Sequence, residues 1–381
     1  MISISTRTSP AGDVSTASSK REAEIRPESP ASGRAIVDVG IPTLGTSPYL
    51  VEAIESVFAQ THQEWRLVIS ENSPGLEPVR DALAPFLTDP RVQHVTTGSI
   101  IGRAQNFTNV IRLGNAPYHG LLHDDDCWGP EFLERRVDFL EKHRRCGFVF
   151  SNYTVIDETS HAIARTNLKL AEGVQLSSVL FPLLYRRMFI GVPSVLVRRS
   201  AYEAIGASYK DLFFADNEMW LKLAANFDAG YLRVSDAYYR FHDLQDSSDR
   251  TQLAKESLAV LDAVDDLSVP RRLRSAVRAE TYTWCAFDAI ERGDRREALK
   301  HLTCAARTGS LSLCRPGVAG RLLAGLIAVT LGARGRRAVI NTRDRRWRSR
   351  RQRGISFAAE VVPVDADASA LPGSQMHGNP S

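Results

Sequence analysis

The chain has 381 residues, of which 43% are hydrophobic and 24% are charged, and its formal net charge is +4. This length and composition predict a globular protein with one large domain and an accessory region, or with two domains. Its five cysteines form no short-spaced pairs, which predicts neither a zinc site nor a disulfide framework and suits a reducing compartment.

The charge is unevenly distributed along the chain. Between Arg334 and Arg353 there are ten arginines and one acid, Asp344, so this segment carries +9 and the remainder carries 4 − 9 = −5. Residues 1–34 are predicted to be a disordered N-terminal tail, and residues 334–381 an arginine-rich arm with a disordered tail. We find no secretory signal and no apolar run of the ~18 residues that span a bilayer, and therefore expect a cytoplasmic protein.

Strands and helices alternate in the segment between residues 35 and 122. Strands are predicted at 35–41, 65–70, 92–95 and 118–122, and helices after Ser47-Pro48, at 79–87 and at 102–113. Such alternation is typical of a parallel sheet with helices on both faces, whose ligands bind at the carboxyl ends of the strands.

The next part of the chain continues this α/β pattern. Helices are predicted at 131–143, at 200–205 and from Asp216 onward, and strands at 147–156, 192–197 and 231–242. The stretch 167–193 is rich in loop residues, and we assign no element to it. Because the composition then becomes helical, we predict an α/β domain at 35–248 and a helical C-terminal region at 249–333.

Three consecutive aspartates, Asp124–Asp126, follow the predicted strand 118–122. Adjacent carboxylates repel one another, so bringing them together is unfavourable without a cation. Hard oxygen ligands on a short turn suit Mg²⁺ or Mn²⁺ with a phosphate-bearing substrate. An exposed acidic turn is the alternative, but Thr43 and Glu71 also end predicted strands, which favours a site at this edge.

Six short motifs follow one another in the chain. They are Val39–Thr43, Ser56–Thr61, Glu71–Ser73, Gly102 with Asn106, Asp124–Asp126, and Asp216 with Glu218, Trp220 and Leu221. In this order and spacing they resemble the family-2 glycosyltransferases over about residues 35–248. The resemblance implies a GT-A fold, which is a Rossmann-like α/β fold with a mostly parallel sheet flanked by helices, here followed by a C-terminal helical region.

The resemblance also implies an activity. Members of this family transfer a sugar, with inversion, from a nucleotide-diphosphate sugar to an acceptor hydroxyl. We therefore expect a metal-dependent hexosyl- or deoxyhexosyl-transferase of polysaccharide, glycolipid or glycoconjugate biosynthesis. The Gln-x-x-Arg-Trp motif of processive members is absent after Gln245, so we expect a non-processive enzyme. The expected acceptor is a saccharide, a lipid-linked molecule or a small molecule.

Individual roles are implied by the resemblance in the same way. Asp216 matches the catalytic base, Glu218 and Trp220 are expected to bind the acceptor, and Asp126 and His242 are expected to bind Mg²⁺ or Mn²⁺. Glu71 stands where the family usually has Asp, beside the nucleobase. The residues expected to bind the nucleotide sugar are Pro42, Thr43, Glu71, Arg103, Asn106, Asp124 and Asp125.

Other functions fit these residues less well. A non-catalytic GT-A scaffold that binds partners or a membrane through its helical region is the main alternative, but such a protein is expected to lose Asp124–Asp126 and Asp216. A nucleotidyltransferase would need a basic, Gly-rich phosphate loop after the first strand, and residues 42–46 contain no Lys or Arg. A phosphate-ester hydrolase usually adds several histidines, and only His123 and His242 lie near these motifs.

The apolar stretch Leu322–Leu331 directly precedes the arginine-rich arm. This combination is typical of a peripheral contact with the cytoplasmic face of a membrane, because anionic headgroups attract basic residues. The alternatives are a last core helix with a solvated arm, and nucleic-acid binding. Little aromatic interleaving exists beyond Trp347, so we expect no nucleic-acid partner.

Overall fold

The computed structural model describes residues 36–73, 77–206, 208–210, 212, 215–242, 250–308, 316–341 and 360–363. The predicted disordered tail at 1–34 and most of the arginine-rich arm lie outside these residues. The strands are β1 Val37–Thr43, β2 Trp65–Glu71, β3 Val92–Thr96, β4 Tyr118–Leu121, β5 Cys127–Trp128, β6 Cys146–Ser151, β7 Thr154–Ile156, β8 Ala162–Asn167, β9 Gly173–Gln175, β10 Leu196–Arg198, β11 Asp228–Leu232, β12 Ala237–Arg240 and β13 Glu360–Pro363.

The helices alternate with these strands in the first half of the chain and follow them in the second. They are α1 Leu50–Phe58, α2 Glu77–Leu83, α3 Arg103–Leu113, α4 Phe132–Lys142, α5 Ser177–Arg186, α6 Arg199–Ile205, α7 Ala215–Asn226, α8 Arg250–Ala263, α9 Arg271–Arg292, α10 Arg295–Thr308 and α11 Pro316–Thr330. The predicted α/β region and the helical C-terminal region are both confirmed.

The larger of two sheets has eight strands in the order β3-β2-β1-β4-β10-β6-β11-β9. The pairs β1–β2, β2–β3, β1–β4 and β6–β11 are parallel, whereas β10 runs antiparallel between β4 and β6, and β9 is antiparallel to β11. Every residue of β1 is buried, which is typical of a strand whose sheet is covered on both faces. The predicted mostly parallel sheet is therefore confirmed.

Two of the predicted strands are each divided between the two sheets. Residues 147–156 form β6 in the large sheet and β7 in the small one, and residues 231–242 are divided between β11 and β12. The smaller sheet has the order β13-β8-β7-β12-β5. The two single-strand predictions were wrong because buried polar residues interrupt both runs. Near the first break Asn152 Oδ1 accepts a hydrogen bond from Leu168 N, and near the second Asp236 pairs with Arg136.

The predicted strand at 192–197 was also too long. Residues Val192–Ser194 form a 3-10 turn, and only Leu196–Arg198 continues as β10. Pro193 has no N–H to donate to a neighbouring strand, which explains why the apolar run does not extend the sheet. The unassigned stretch at 167–193 contains β9 and α5.

The helical region packs in two separate apolar cores. α8, the first half of α9 and the connection between them join the core of the large sheet, which includes Phe148 and Tyr231. The residues that they contribute are Val260, Leu261, Val264, Val269, Leu273 and Val277. The second half of α9 packs with α10 and α11 in another cluster, formed by Ala286, Ala289, Ile290, Ala298, Leu302, Ala305, Ala328 and Val329.

Part of the predicted disordered C-terminal tail has regular structure. Residues Glu360–Pro363 form β13, which pairs antiparallel with β8 at the edge of the small sheet. Val361 and Val362 are β-branched and favour a strand, although the composition around them suggested disorder. Residues 333–341 of the arm are helical. None of the helices described here combines the length and the apolar character that crossing a bilayer requires.

Candidate active site

The three aspartates form a turn, which we call the acidic turn (residues 123–126), between β4 and β5. It is bound to the carboxyl end of β1 and the loop that follows. Thr43 Oγ1 donates to Asp124 Oδ2 at 2.5 Å, and Ser47 Oγ donates to the carbonyl oxygen of Asp124 at 2.8 Å. The predicted meeting of polar residues at one edge of the sheet is confirmed, since Thr43 also pairs with Glu71 in the β1–β2 register.

Trp128 anchors the other end of the acidic turn in the core. Its Nε1 donates to the carbonyl oxygen of Pro193 at 2.7 Å, and its ring stacks on Phe132 with the centroids 4.1 Å apart. Gly120 of β4 leaves room for this ring, because a Cβ there would lie 2.8 Å from Trp128. The turn is therefore fixed between a rigid strand and a packed aromatic pair.

Asp126 is fully buried, and one of its oxygens is available to a ligand. Oδ1 accepts a hydrogen bond from the backbone N–H of Arg240 at 2.9 Å. Oδ2 lies 3.2 Å from His123 Nδ1 but accepts no hydrogen bond from the part of the chain that the structure describes. A buried carboxylate oxygen without a hydrogen bond is unfavourable unless a cation satisfies it.

His123 and the carboxylates form a group that fits a divalent cation. One ligand atom from each of His123, Asp125 and Asp126 lies within 4.8 Å of the others. Oxygen ligands with one imidazole nitrogen suit Mn²⁺ and are compatible with Mg²⁺. His242 was a predicted metal ligand. Its Nε2 lies 3.1 Å from Asp125 Oδ2, so it contacts the carboxylate of Asp125. His123 was not among the predicted ligands, although its position next to the aspartates could have suggested it.

The pKa values of the group reflect this crowding. Burial raises the pKa of Asp126 to about 6, and the neighbouring charge of Asp125 adds to the rise. Burial likewise raises the pKa of Asp124 to about 6, against the hydrogen bond from Thr43. Burial alone would lower the pKa of His123, but Asp126 and the other aspartates raise it to about 9. These carboxylates are difficult to ionise together, a condition that a divalent cation relieves.

Arg240 holds the acidic turn in place through hydrogen bonds, and the sequence analysis did not predict this role. Its side chain is fully buried at the end of β12. Nε donates to the carbonyl oxygen of Asp125 at 2.9 Å, and Nη2 donates to Glu52 at 2.7 Å. The guanidinium lies 4.2 Å from the centre of the Tyr49 ring. A single cation therefore connects α1, β12 and the acidic turn.

The predicted nucleotide-binding residues at the ends of β1 and β2 have defined partners. Glu71 is buried, with Oε2 lying 2.8 Å from His94 Nε2. Pro42 is buried within β1. The side chain of Asn106 is held by Ser70: Nδ2 donates to the carbonyl oxygen of Ser70 at 3.0 Å, and Oδ1 accepts from Ser70 Oγ.

Helix α7 brings the predicted catalytic base to the same site. Burial raises the pKa of Asp216, and the nearby positive charges of His123 and Arg103 oppose this rise. Asp216 is therefore within electrostatic range of both the acidic turn and the first residue of α3. Asp216 and Arg103 were predicted from separate motifs, and the fold brings them within electrostatic range of each other.

The two predicted acceptor-binding residues of α7 are buried. Glu218 Oε1 lies 2.7 Å from Lys222 Nζ and 3.3 Å from Lys210 Nζ, so its charge is compensated inside the protein. Trp220 is 1% exposed and packs in the core of the large sheet. This burial corrects the prediction for Trp220, because its ring has no free face on which a sugar could stack.

The mostly parallel sheet, with an acidic turn at the carboxyl end of its central strands, defines a GT-A fold. A crystal structure of S. aureus TarS in complex with UDP-GlcNAc has this fold, with a TM-score of 0.59 at 11% identity, covering 78% of this chain and 91% of that one. Residues 38–206 match the family model described as glycosyl transferase family 2. This segment of the chain is a family-2 glycosyltransferase domain.

Curated relatives agree with this assignment. A glycosyltransferase of Rickettsia typhi is 25% identical over 225 residues, which are 55% of this chain and 65% of the relative. One of Methanocaldococcus jannaschii is 21% identical over 179 residues, covering 47% of this chain and 60% of the relative. WfgD of Escherichia coli, a UDP-Glc:alpha-D-GlcNAc-diphosphoundecaprenol beta-1,3-glucosyltransferase, is 22% identical over 125 residues, covering 33% and 48%. The chain thus spans between 48% and 65% of the length of these relatives.

Proposed function

We propose that the protein transfers a sugar, with inversion and one residue at a time, from a nucleotide-diphosphate sugar to an acceptor hydroxyl. The observation that carries this proposal is that the buried Asp126, whose Oδ2 lies beside His123 and accepts no hydrogen bond from the described residues, belongs to a group that fits a divalent cation. Asp216 lies within electrostatic range of His123 in this group. Support comes from the relatives, since the name of WfgD gives UDP-Glc as its donor and TarS binds UDP-GlcNAc. The product belongs to polysaccharide, glycolipid or glycoconjugate biosynthesis.

Asp126, with His123 and Asp125, holds Mg²⁺ or Mn²⁺ in this proposal, and His242 orients Asp125 through their 3.1 Å contact. A bound divalent cation supplies positive charge that offsets the negative charge developing on the leaving diphosphate. Arg103 adds a further positive charge at the start of α3. Asp124 is fixed by Thr43, so the turn keeps its geometry when the donor enters.

The nucleoside lies along the ends of β1 and β2. Glu71, oriented by His94, borders the nucleobase, and Thr43 and Pro42 form the floor beneath it. Asn106 shapes this floor by donating from its amide to the carbonyl oxygens of Ser70 at 3.0 Å and Thr43 at 3.5 Å. Asp125 faces the ribose and the diphosphate.

Asp216 acts as the base in a single displacement. Its carboxylate takes the proton of the acceptor hydroxyl as that oxygen bonds to the anomeric carbon of the donor. The bond between this carbon and the diphosphate oxygen breaks in the same step, and the nucleoside diphosphate leaves with the bonding electrons. The raised pKa of Asp216 makes its carboxylate a stronger base than an exposed aspartate. The acceptor is a saccharide, a lipid-linked molecule or a small molecule.

The test is a donor screen with variants of both acids. Purified protein would be given UDP-, GDP- and dTDP-sugars with Mn²⁺ or with EDTA, and both donor binding and released nucleoside diphosphate would be measured. We expect one nucleotide to bind in the presence of Mn²⁺ and to lose this binding in Asp126→Asn. Asp216→Asn should keep donor binding and lose about 10²–10⁴-fold in turnover, the usual contribution of a positioned base.

Asp138→Asn is the control, because Asp138 is an exposed carboxylate of α4 and its loss should leave binding and turnover unchanged. If the folded protein binds no nucleotide sugar with Mn²⁺ present, the transferase proposal fails and a non-catalytic scaffold becomes the better explanation. Equal turnover of Asp216→Asn and the parent protein would remove Asp216 from the mechanism and leave the rest of the proposal intact.

A further inference from the structure

Helix α11 is apolar on the side that faces solvent as well as on the side that faces the core. Ala328 and Val329 are buried against α9 and α10, and Gly325 lets the helix approach Leu302 closely, since a Cβ there would lie 2.9 Å from that side chain. Leu323, Leu326 and Ile327 follow the i, i+3, i+4 spacing of one helix face and are 46–60% exposed. Ordinary surface helices present polar residues on this side.

The exposed apolar surface of α11 continues beyond the end of the helix. Leu331 is 56% exposed, and the chain then turns at Gly332, whose φ of 56° lies in the left-handed region. The helical residues 333–341 pack back against the same core through Val339. We call Leu323, Leu326, Ile327 and Leu331 the leucine face.

The segment of the chain that carries the leucine face contains basic residues and no acids. Between Glu297 and Asp344 the chain contains eight Lys and Arg residues and no Asp or Glu. Arg334 and Arg337 follow the face directly and are exposed. An apolar surface bordered by arginines is complementary to a layer that is anionic at its surface and apolar beneath.

We propose that the leucine face and the exposed arginines beside it bind the surface of an anionic lipid bilayer. The leucine side chains enter the boundary between headgroups and acyl chains, and Arg334 and Arg337 pair with lipid phosphates. The contact is peripheral. It goes beyond the proposed reaction, because it needs neither donor nor metal and holds for any acceptor, although it would bring the enzyme to a lipid-linked one.

The experiment measures binding to vesicles and uses the full chain. Protein would be sedimented with vesicles of phosphatidylcholine alone, or with phosphatidylglycerol added, at low and at high salt. We expect binding to the anionic vesicles, little binding to the neutral ones, and weaker binding at high salt because headgroup charges are screened. The double variants Leu326→Glu with Ile327→Glu, and Arg334→Gln with Arg337→Gln, should each weaken binding by about tenfold or more.

Val179→Glu provides the matched control, because Val179 is an equally exposed apolar residue, at 54%, on α5, outside the helical region that carries the leucine face. It should bind anionic vesicles like the parent protein. All variants change exposed side chains, and their thermal unfolding would verify that they fold. Failure of the folded parent protein to bind anionic vesicles, or equal binding by the leucine-face variant, would overturn the proposal.

Two other outcomes would assign the leucine face a different partner and also refute lipid binding. A dimer that becomes monomeric in Leu326→Glu with Ile327→Glu, without any vesicle binding by the parent, would make the face a contact between two copies of this chain. Binding of single-stranded RNA or DNA that depends on Arg334 and Arg337 but not on the leucines, again without vesicle binding, would make the arginines a nucleic-acid surface. Sedimentation velocity and a salt-dependent nucleic-acid titration distinguish these cases.

Discussion

At the scale of single residues, the acidic turn depends on a buried arginine as much as on its aspartates. Arg240 donates to the backbone of Asp125 from its side chain and to Asp126 from its own N–H. Its ion pair with Glu52 links the turn to α1. Partners that orient the ligands of a metal typically change its affinity by 10–100-fold, even though they do not touch the ion.

We therefore expect Arg240→Met to lower the affinity for Mn²⁺ by about 10–100-fold while the protein still folds. Mn²⁺ binding would be measured by calorimetry or by the signal of free Mn²⁺ in electron paramagnetic resonance. Arg66→Met is the matched control, because Arg66 also pairs with a buried carboxylate, Asp38, but at the opposite end of the sheet. It should lower stability without changing Mn²⁺ affinity. A folded Arg240→Met protein with unchanged Mn²⁺ affinity would contradict a positioning role.

The candidate site could be predicted only where its residues are neighbours in sequence or belong to a recognisable motif. Asp124–Asp126 follow one another, and Asp216 begins a motif of its own. Arg240 contacts Asp126 across 114 positions of the chain, and no local pattern marks it. The burial of Trp220 could not be predicted either. An aromatic residue near a catalytic acid in sequence can stack on a sugar or pack in the core, and the sequence does not distinguish the two.

At the scale of elements, the ion pair between Arg136 and Asp236 fixes the entry of β12, the strand that ends at Arg240. Arg136 on α4 is fully buried, and its Nη2 lies 2.9 Å from Asp236 Oδ1. Asp236 also lies 3.0 Å from Arg135. Burial alone would raise the pKa of Asp236, but the two arginines lower it below its ordinary value.

This pair gives a stability that depends on pH. Because the pKa of Asp236 is lower in the folded state than the unfolded value of about 3.9, its contribution is complete above that pH and is lost as the pH falls through the folded pKa. Asp236→Asn should lower the free energy of unfolding by about 3–5 kcal/mol at pH 7, since it leaves Arg136 buried without its partner. The difference in the free energy of unfolding between Asp236→Asn and the parent protein should become smaller below about pH 4.

Urea unfolding at several pH values between 7 and 3 would measure this difference. Asp89→Asn is the comparison, because Asp89 also has a lowered pKa but pairs with Arg91 at the surface. Exposed ion pairs contribute little, so its effect should be much smaller at every pH. A constant difference between Asp236→Asn and the parent from pH 7 to pH 3 would show that the pair does not titrate as described.

The elements themselves show what periodicity can and cannot predict. Long amphipathic helices such as α4 and the first four parallel strands were predicted to within a few residues, because one pattern of burial runs through each. The breaks within 147–156 and 231–242 were missed, because strands in both sheets are apolar and the change of sheet occurs at polar residues buried by distant partners. β9 and α5 were missed because their residues contact elements far away in sequence.

At the scale of the whole molecule, the two apolar cores do not coincide with the predicted domain boundary at 248. α8 and the first half of α9 complete the core of the large sheet. We propose that the glycosyltransferase domain extends to the middle of α9 and that the second half of α9, with α10 and α11, forms a separate layer that carries the leucine face.

This proposal predicts different outcomes for two truncations. A chain that ends at residue 248 loses six buried side chains of α8, α9 and the connection between them from the sheet core, namely Val260, Leu261, Val264, Val269, Leu273 and Val277. At about 1.5–3 kcal/mol for each buried side chain, the loss is on the order of 10 kcal/mol, comparable to the whole stability of a typical domain. We expect this chain to be unfolded or aggregated at 25 °C, and a chain that ends at Gly293 to unfold cooperatively.

Circular dichroism and thermal unfolding of the two truncated chains would be compared with a chain that ends at residue 341. The longest of the three controls for removal of β13, which pairs with β8 at the edge of the small sheet. If the chain ending at 248 unfolds at the same temperature as the chain ending at 293, α8 and α9 add nothing to the domain. The boundary at 248 would then be correct, and the shared core would be a contact between two units that each fold alone.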